Sequence, residues 1–438
     1  MEIIAQTAGA LQVLLTTTAE EIGERCDLIK RHREFTASSL LSTFVLGFLH
    51  RARPTWEQLA FIARQLGADV SPQAVQQRVT PELRDSLQQL WEAAVTCVLT
   101  AEPRVSPLLQ KFKQVLIGDS TTIGLTDSLA SLFPGCGGSH GSGLAAIKLQ
   151  VVWDYLAGTL RMVWEVGKQN DSTSSVMQEI PIAGSLSIKD LGYFSLDRFR
   201  AWQEAQAHWI SRGISDLLLW FGGQSHDLHE WLNTQPAGPV DRWVEVGKIR
   251  LPCRLMALRA PQEVADRRRQ KAYDKAAKKG RQPTARHLAT CDWTVFLTSC
   301  GDDLLSWKEI VVLYRLRWQI ELLFKLWKSH NLIEEHRTEE PVRQMAELYA
   351  KLTAVLIQHW LILTSVWDDG RVSLTKAARL IRDYLPQLMP VITNFQELVA
   401  VLKRWRDTLY RLARIDKRKA DPSNPQLLEN ADLLTFSS

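Results

Sequence analysis

Polar residues with helical spacing are the feature of this sequence best suited to carry chemistry. They are Tyr314, Arg317, Glu321 and Lys328, and they follow Ser306 in a segment with apolar residues between them. At 100° per residue the four fall within about 60° of one another, so a continuous helix would present them as one stripe. A carboxylate beside cationic and hydroxyl groups suits phosphate chemistry. A solvated helix face with a weak Arg317–Glu321 pair would show the same pattern.

Two aspartates extend this set. Asp119 follows the apolar run at residues 115–118, and Asp190 follows the alternating run at residues 185–189. Each carboxylate shares a strand face with buried residues, and strand ends border clefts. We therefore expect Asp119 and Asp190 to project from adjacent strand ends toward Glu321. Three carboxylates without His or Cys form a hard-oxygen site for Mg²⁺ or Mn²⁺, and two such ions about 3.5–4 Å apart suit phosphodiester cleavage.

Together these motifs resemble a known family. The spacing Tyr-x2-Arg-x3-Glu-x6-Lys over residues 314–328 resembles the YREK signature of bacterial cut-and-paste DDE transposases, the group called insertion sequence family four. The sequences Ile-Gly-Asp-Ser-Thr at 117–121 and Asp-Leu-Gly-Tyr-Phe at 190–194 resemble the surroundings of that family's first and second catalytic aspartates. The resemblance covers the chain from about residue 110 to residue 330.

The resemblance implies an RNase H-like catalytic core. Its catalytic and metal-binding residues would be Asp119, Asp190 and Glu321, holding two Mg²⁺ or Mn²⁺ ions. Water would hydrolyse one strand at each end of the element. The freed 3′-hydroxyl would then attack the opposite strand and later the target DNA.

By the same resemblance, Tyr314, Arg317 and Lys328 would hold phosphates of the non-transferred strand. Independently of the family, Arg offers bidentate phosphate contacts, Lys a point charge and Tyr a hydroxyl. In relatives that form a hairpin intermediate, an aromatic residue of the insertion domain stacks on a flipped base. Trp293 resembles that position, although the ring is equally suited to a core.

The rest of the chain predicts an α/β fold in which helical regions flank a core with an inserted β-rich domain. The predicted parts are a helical DNA-binding domain at 1–105, the first part of the RNase H-like core at 106–213, the inserted β-rich domain with a basic segment at 214–300, the final catalytic helix with the signature at 301–335, and a C-terminal helical region with a basic tail at 336–438.

Residues 56–79 predict a helix-turn-helix. Gly67 lies in the turn, Ser71 is suited to cap the second helix, and Pro72 is suited to its first position. The residues that would face DNA are Gln73, Gln76, Gln77 and Arg78. Residues 1–105 contain ten Lys and Arg against twelve Asp and Glu, so they lack the excess of basic residues that is typical of a DNA-binding domain. A plain helical-bundle hairpin is the alternative.

Basic residues cluster in two places. Between residues 267 and 286 there are nine Lys and Arg against one acid, and between 403 and 419 eight against two. Such density marks a solvated surface or a phosphate-binding patch, and the resemblance favours salt-sensitive DNA contact. The DNA-binding candidates in the first cluster are Arg267, Arg268, Lys278, Lys279 and Arg281.

The composition bounds the protein class. The chain has 438 residues, a net charge of +5, and six cysteines without a Cys-x-x-Cys pair, which argues against a zinc module or disulfide scaffold and fits a reducing compartment. No secretory signal is recognisable, and the most apolar run, residues 352–367, is shorter than a membrane span and carries Gln358 and His359. We expect a buried helix there, and a cytoplasmic, nucleoid-associated bacterial protein without a membrane partner.

The sequence therefore predicts a transposase that binds the terminal inverted repeats of an insertion sequence and acts by cut-and-paste. Its partners would be double-stranded DNA, as element ends and target, and a second copy in a DNA-bound homodimer. No nucleotide cofactor is expected, since the glycine-rich residues 134–143 lack a following Gly-Lys-Ser/Thr. The alternatives are an inactive DNA-binding descendant and a nuclease with the same core.

Overall fold

A computed structural model describes residues 3–31, 33–101, 106–136, 143–171, 174, 180–236, 238–278, 280–367, 372–415 and 422–434. The chain divides into two compact units. The first consists of Met1–Arg104, Ser120–Gln169 and Ile320–Arg418, and the second of Val105–Asp119, Asn170–Gln319 and Lys419–Ser438.

The first unit begins with helices joined by short capped turns. They are α1 (Ile3–Val13), α2 (Ala19–Arg25), α3 (Ala37–His50), α4 (Trp56–Gln65), α5 (Pro72–Gln77) and α6 (Pro81–Thr96). A π-helical turn, Leu14–Thr18, joins α1 to α2. The Ser71 side chain accepts a hydrogen bond from the amide of Ala74, Pro72 opens α5, and Gly67 has φ +90°. The predicted helix–turn–helix outline at residues 56–79 is therefore confirmed as local structure.

Later segments of the first unit add three strands and four helices to its described part. The strands β1 (Val115–Leu125), β2 (Ala145–Asp154) and β3 (Leu160–Val166) are in the order β3-β2-β1, and β1 enters this unit at residue 120. The helices are α12 (Arg317–Ser329), which enters the unit at residue 320, α13 (Pro341–Val366), α14 (Leu374–Tyr384) and α15 (Phe395–Leu412). Every residue of β2 is buried.

Helix α13 lies at the centre of the first unit. Residues 352–363 are all buried, and the His359 ring nitrogen Nε2 lies 2.7 Å from the carbonyl oxygen of Gly158. Gln358 accepts a hydrogen bond from the Asn331 side chain at 3.2 Å, so both polar side chains of the apolar run have partners. The expected buried helix is confirmed, although it begins eleven residues before the apolar run.

The second unit is built on one sheet, in the order β1-β4-β5-β10-β9-β8-β6-β7. Its further strands are β4 (Leu186–Lys189), β5 (His208–Arg212), β6 (Leu218–Phe221), β7 (Gln224–Asp227), β8 (Val240–Val246), β9 (Leu251–Arg259) and β10 (Trp293–Thr298). Its helices are α7 (Leu196–Glu204), α8 (Leu228–Asn233), α9 (Gln262–Ala277), α10 (Ala285–Ala289), α11 (Trp307–Arg315) and α16 (Asn424–Glu429). The fold is thus a mixed α/β arrangement, as expected.

The strands of residues 214–300 continue the sheet of the second unit. Strand β10 pairs antiparallel with both β5 and β9, and β9 pairs with β8. The run 242–259, which the sequence pattern indicates as a strand, is a hairpin that turns at Gly247, where φ is +70°. Within the described residues, no helix has both the length and the apolar character needed to cross a membrane.

Candidate active site

The parallel pairing of β1 with β4 brings the two aspartates together. The strands are parallel, with Ile117 opposite Ile188 and Gly118 opposite Lys189. One residue further along this register, Asp119 comes beside Asp190. The expected adjacency of the two strand ends is confirmed, but β1 continues to Leu125, so Asp119 lies where the β4 pairing stops and not where β1 ends.

Gly118 lets these strand ends approach closely. A Cβ atom at this position would lie 2.9 Å from Cε of Lys189 and 3.2 Å from its Cγ. The Lys189 stem therefore lies across the Gly118 backbone, and its ammonium lies 5.7 Å from the centre of the Tyr193 ring. Close packing of this kind explains why a glycine precedes Asp119 in the motif.

Arg317 lies between the two carboxylates. Its Nη1 is 3.6 Å from Oδ2 of Asp119, and its Nε is 3.9 Å from Oδ1 of Asp190. The Arg317 and Asp119 side chains are each 18% exposed, whereas Asp190 is 48% exposed. One guanidinium thus offsets the repulsion of two neighbouring carboxylates, and the more open face of the pair belongs to Asp190.

A second arginine, Arg212, approaches the same group from the end of β5. Its guanidinium carbon lies 5.4 Å from the centre of the Phe296 ring, and Tyr314 packs edge-on against that ring with centroids 5.3 Å apart. Burial lowers the pKa of Arg212 from its usual value, with Tyr314 and Asp190 acting in the opposite direction. Its Nε is buried and lacks a hydrogen-bond partner among the described residues. A buried donor of this kind is suited to a phosphate oxygen.

Tyr314 keeps its proton in this surrounding. Burial raises the pKa of Tyr314 to about 12, against the influence of Arg212 and Arg317. The hydroxyl is therefore neutral across the physiological pH range and is available as a hydrogen-bond donor.

The prediction of a single signature helix is wrong in one respect, because the helix is interrupted by a turn at Leu316. Helix α11 ends at Arg315 and α12 begins at Arg317, with a tight hydrogen bond from the Leu316 amide to the Leu313 carbonyl. Tyr314 therefore lies on α11, and its angular position does not carry over to the next helix. Arg317 and Glu321 remain one turn apart on α12, and Glu321 is half-buried.

The donor chemistry of this region fits a hard divalent cation. Asp119 and Asp190 are adjacent, partly exposed, and already share one cationic group, Arg317. Carboxylate oxygens are the ligands that Mg²⁺ and Mn²⁺ prefer. Within the part of the chain that the structure describes, no group of three or more His, Cys, Asp or Glu side chains is assembled for a metal ion.

Lys328, the last signature residue, is held by neighbours in the first unit. Its ammonium donates a hydrogen bond to the Thr122 carbonyl at 3.0 Å and forms an ion pair with Glu334. Thr122 lies in β1, so this contact joins α12 to the strand that follows Asp119. Lys328 would have to exchange one of these partners to bind a phosphate.

Trp293 has the environment of a core residue. It is 3% exposed, and the Arg259 guanidinium lies 4.8 Å from the ring centre. This favours the structural alternative that the sequence left open, since a base stacking on the ring would first have to displace Arg259. Arg268 is also engaged, because it donates to the carbonyl oxygens of Cys291 and Trp293 and to the Thr294 hydroxyl.

The other basic candidates are more open. Arg267 lies on α9 and is exposed, although its Nε donates to the Glu263 carbonyl at 3.2 Å. Lys278 and Arg281 are exposed, and Lys279 lies outside the described residues. Exposed cations on α9 and at its C-cap, Lys278, follow a spacing of four, four and three residues, which forms one stripe: Arg267, Lys271, Lys275 and Lys278.

Sequence reasoning missed Arg212 and a pair of contacts at the start of α11. Nothing in the sequence His-Trp-Ile-Ser-Arg indicates that its last side chain is half-buried near Asp190. At α11, Arg254 donates to the Leu305 carbonyl at 2.6 Å and forms a two-contact ion pair with Asp241. Pairing of β8 with β9 brings Asp241 near Arg254, whereas Leu305 lies outside the sheet and 51 positions from Arg254, so the local sequence indicates neither contact.

The known proteins that this chain resembles are transposases. The family described as Transposase DDE domain matches residues 110–357. The chain is 26% identical over 435 residues to the transposase for insertion sequence element IS231B of Bacillus thuringiensis subsp. berliner, covering 91% of this chain and 89% of that protein. It is 26% identical to the IS231F transposase of Bacillus thuringiensis subsp. israelensis, covering 92% and 89%, and 25% identical to the IS1151 transposase of Clostridium perfringens, covering 70% and 73%.

Proposed function

The chain belongs to the family of transposases with a DDE domain, and from that premise we propose that it cuts and joins the ends of an insertion sequence by a cut-and-paste mechanism. It would bind the terminal inverted repeats, release the element, and join the 3′ ends to target DNA. The observation that carries this proposal is the pair of Asp119 and Asp190, bridged by Arg317, at the point where the β1–β4 pairing stops.

The catalytic carboxylates of the proposal are Asp119, Asp190 and Glu321. They would hold divalent ions, Mg²⁺ or Mn²⁺ and two per site, which when bound supply activation of the attacking oxygen and stabilisation of the leaving oxygen. Arg317 lies between the two aspartates and offsets their mutual repulsion. Assignment of the four-residue signature to the YREK group is part of the same proposal.

Cationic and hydroxyl groups beside the carboxylates would position the DNA strand. Tyr314 offers a protonated hydroxyl, and Arg212 offers a buried donor without a partner in the described structure. Both suit oxygens of a phosphate next to the scissile bond. Lys328 would act as a point charge after leaving Glu334.

Regions outside the carboxylate site would bind the flanking duplex. We propose that residues 214–300 are an insertion into an RNase H-like core and that the α9 stripe runs along the DNA backbone. The stripe has exposed Lys and Arg side chains on one helix face, with Arg267 at one end and Lys278 at the other. Helices α4 and α5 would recognise the element ends, and two copies would act together, since both ends must be cut in one complex.

A cleavage assay on a miniature element tests this function. The DNA carries the inverted repeats that flank the gene, and products are separated on a denaturing gel after addition of Mg²⁺ or Mn²⁺. Asp119→Asn and Glu321→Gln should each lower cleavage by at least about a hundredfold while leaving DNA binding intact, because they remove metal-holding oxygens.

Asp197→Asn is the matched control, since Asp197 is an exposed carboxylate on α7 of the second unit. It should cleave as well as the unmodified protein. If the protein nicks the DNA but does not join it, the chain is a nuclease and not a transposase. If it binds DNA but does not cleave it, the chain is an inactive descendant of a transposase. Full cleavage by Glu321→Gln would overturn the residue assignment.

A further inference from the structure

An open cleft in the first unit borders the short helix α5. It encloses about 530 Å³ between the loop at residues 28–35 and the segment that carries α5. Loop side chains on one wall include Lys30 and Arg33, and those on the other include Gln77 and Arg78. The sequence predicted DNA contacts for α5 alone and gave the loop no role.

Buried residues hold both sides of this cleft in place. Leu28 and Phe35, at the two ends of the loop, are 6% and 3% exposed, and the Leu28 amide donates to the Gly23 carbonyl at 2.9 Å. On the other side Val75 is fully buried, and Ser71 caps α5. The loop is therefore fixed at both ends, while Arg31 and Arg33 in its middle are exposed.

Two of the acidic residues that line the cleft form ion pairs with basic residues other than Arg33 and Arg78, which leaves these two arginines available to bind a ligand. Asp69 is paired with Arg64 at 2.5 Å, and Glu82 with Lys30 at 3.0 Å, so two of the three lining acids are neutralised. Glu34 is the third. Among the described residues, no ion pair or side-chain hydrogen bond occupies Arg33 or Arg78, which line the cleft from its two different segments. Two such arginines suit the phosphates of a nucleic-acid strand.

We propose that the loop at residues 28–35 and helix α5 form a two-walled DNA-contact site. Arg33 and Arg78 bind backbone phosphates from opposite sides, and the exposed amide of Gln77 reaches a neighbouring base edge. The inference rests on the proposed function, since that function supplies the duplex. It adds a second wall that supports α5, which has only six residues.

The test measures binding of a fluorescein-labelled duplex of the DNA flanking the gene, and of a scrambled duplex, by fluorescence anisotropy. Arg33→Ala and Arg78→Ala should each weaken binding to both duplexes about tenfold. Each should also reduce the slope of log affinity against log salt by about 0.9 between roughly 50 and 200 mM salt, since one phosphate contact is lost. Arg33→Lys should keep the slope.

Two further variants separate this role from a general loss of charge or fold. Arg25→Ala removes an exposed arginine from the last turn of α2, outside the cleft, and should bind as the unmodified protein does. Asp69→Asn removes a negative charge from the cleft and should strengthen binding, a gain that misfolding would not produce.

If Arg33→Ala and Arg78→Ala bind like Arg25→Ala, the cleft proposal is overturned. If the unmodified protein binds neither duplex, the proposed function fails instead. The two failures are therefore distinguishable.

Discussion

At the scale of single residues, the one guanidinium of Arg317 contacts the carboxylates of both aspartates. It lies 3.6 Å from Asp119 and 3.9 Å from Asp190, so its planar fork is in contact with two carboxylates at once. Arg317→Lys keeps the charge but offers one donor centre, and we expect cleavage at saturating DNA to fall about tenfold. Arg317→Ala should fall further. Arg315→Ala, an exposed cation on α11, is the control and should cleave normally.

Arg212 gives a prediction in which stability and activity separate. Its side chain is half-buried, and its buried Nε lacks a partner in the described structure, so Tyr314 and Asp190 offset the desolvation cost of its charge only in part. Arg212→Met should leave the thermal midpoint unchanged or raised while cleavage falls by about a hundredfold, if the guanidinium serves a substrate phosphate. Lower thermal stability with normal cleavage would assign Arg212 to the fold instead.

These residues show which parts of the candidate site could be predicted from the sequence and which could not. Asp119 and Asp190 were predictable because each follows an apolar strand pattern whose two-residue period fixes the side of the carboxylate. Arg212 was not predictable, since its burial depends on packing from Phe296 and Tyr314, which lie more than eighty positions later. The core position of Trp293 likewise depends on Arg259 of a neighbouring strand.

At the scale of elements, the start of α11 is held by two cations from other segments. Lys111 donates to the Leu304 carbonyl at 2.8 Å and to Glu309 at 2.7 Å, and Arg254 donates to the Leu305 carbonyl. Glu309 also completes a capping box with Ser306. These contacts fix where α11 begins and therefore where it carries Tyr314.

Arg254→Met should weaken this start of α11. The Arg254 side chain is 4% exposed, and its removal leaves Asp241 and the Leu305 carbonyl without their donors. We expect the free energy of unfolding of the second unit to fall by about 3 kcal/mol, with a lower cleavage rate and unchanged affinity for DNA. Lys248→Met on the same β8–β9 hairpin changes an exposed side chain and should have neither effect in urea unfolding or cleavage assays.

Lys351 on α13 makes the stability of the first unit depend on pH. It is 3% exposed and donates to the Leu332 and Glu335 carbonyls, and burial lowers its pKa from 10.5 to about 8. Between pH 8 and 10.5 the unfolded chain holds a proton that the folded chain has released, so the stability rises with pH in this window.

The expected gain is up to about 3 kcal/mol relative to Lys351→Met, which cannot titrate. Urea unfolding of both proteins at the two ends of the window measures the difference. A difference that does not change with pH would show that Lys351 has an ordinary pKa in the folded state.

Secondary-structure elements were predictable where the residues that define them lie close together in the sequence. Ser71, Pro72 and Gly67 outline α5 and its turn from sequence alone, and the predicted cap is present. The break at Leu316 was not predictable, because neither Pro nor Gly marks it. The hairpin at Gly247 was missed because its two strands have continuous strand-like sequence on both sides of the turn.

At the scale of the whole molecule, the second unit takes its final residues from the end of the chain. Leu427 and Leu428 of α16 are 0% and 5% exposed, the Ser106 hydroxyl donates to the Leu428 carbonyl at 3.1 Å, and Lys308 of α11 pairs with Asp432 at 2.8 Å.

A chain that stops before residue 422 should therefore lose about 3–5 kcal/mol of stability in the second unit, since two leucines are no longer buried. Limited proteolysis should cut residues 180–319 faster in this variant. A chain that lacks only residues 435–438 is the control and should resist as the full chain does. Equal resistance of both would contradict a structural role for α16.

The contact between Ser106 and Leu428 spans 322 positions of the chain. A ribosome therefore releases Asp119 and Asp190 into the cell well before the last packing partner of their unit has been synthesised. The second unit therefore completes its fold only after residues 422–434 have left the ribosome, and such distant contacts form slowly. The second unit thus becomes complete only when this late segment has been synthesised, and chains cut short before it lack a packing partner of the unit that contains Asp119 and Asp190.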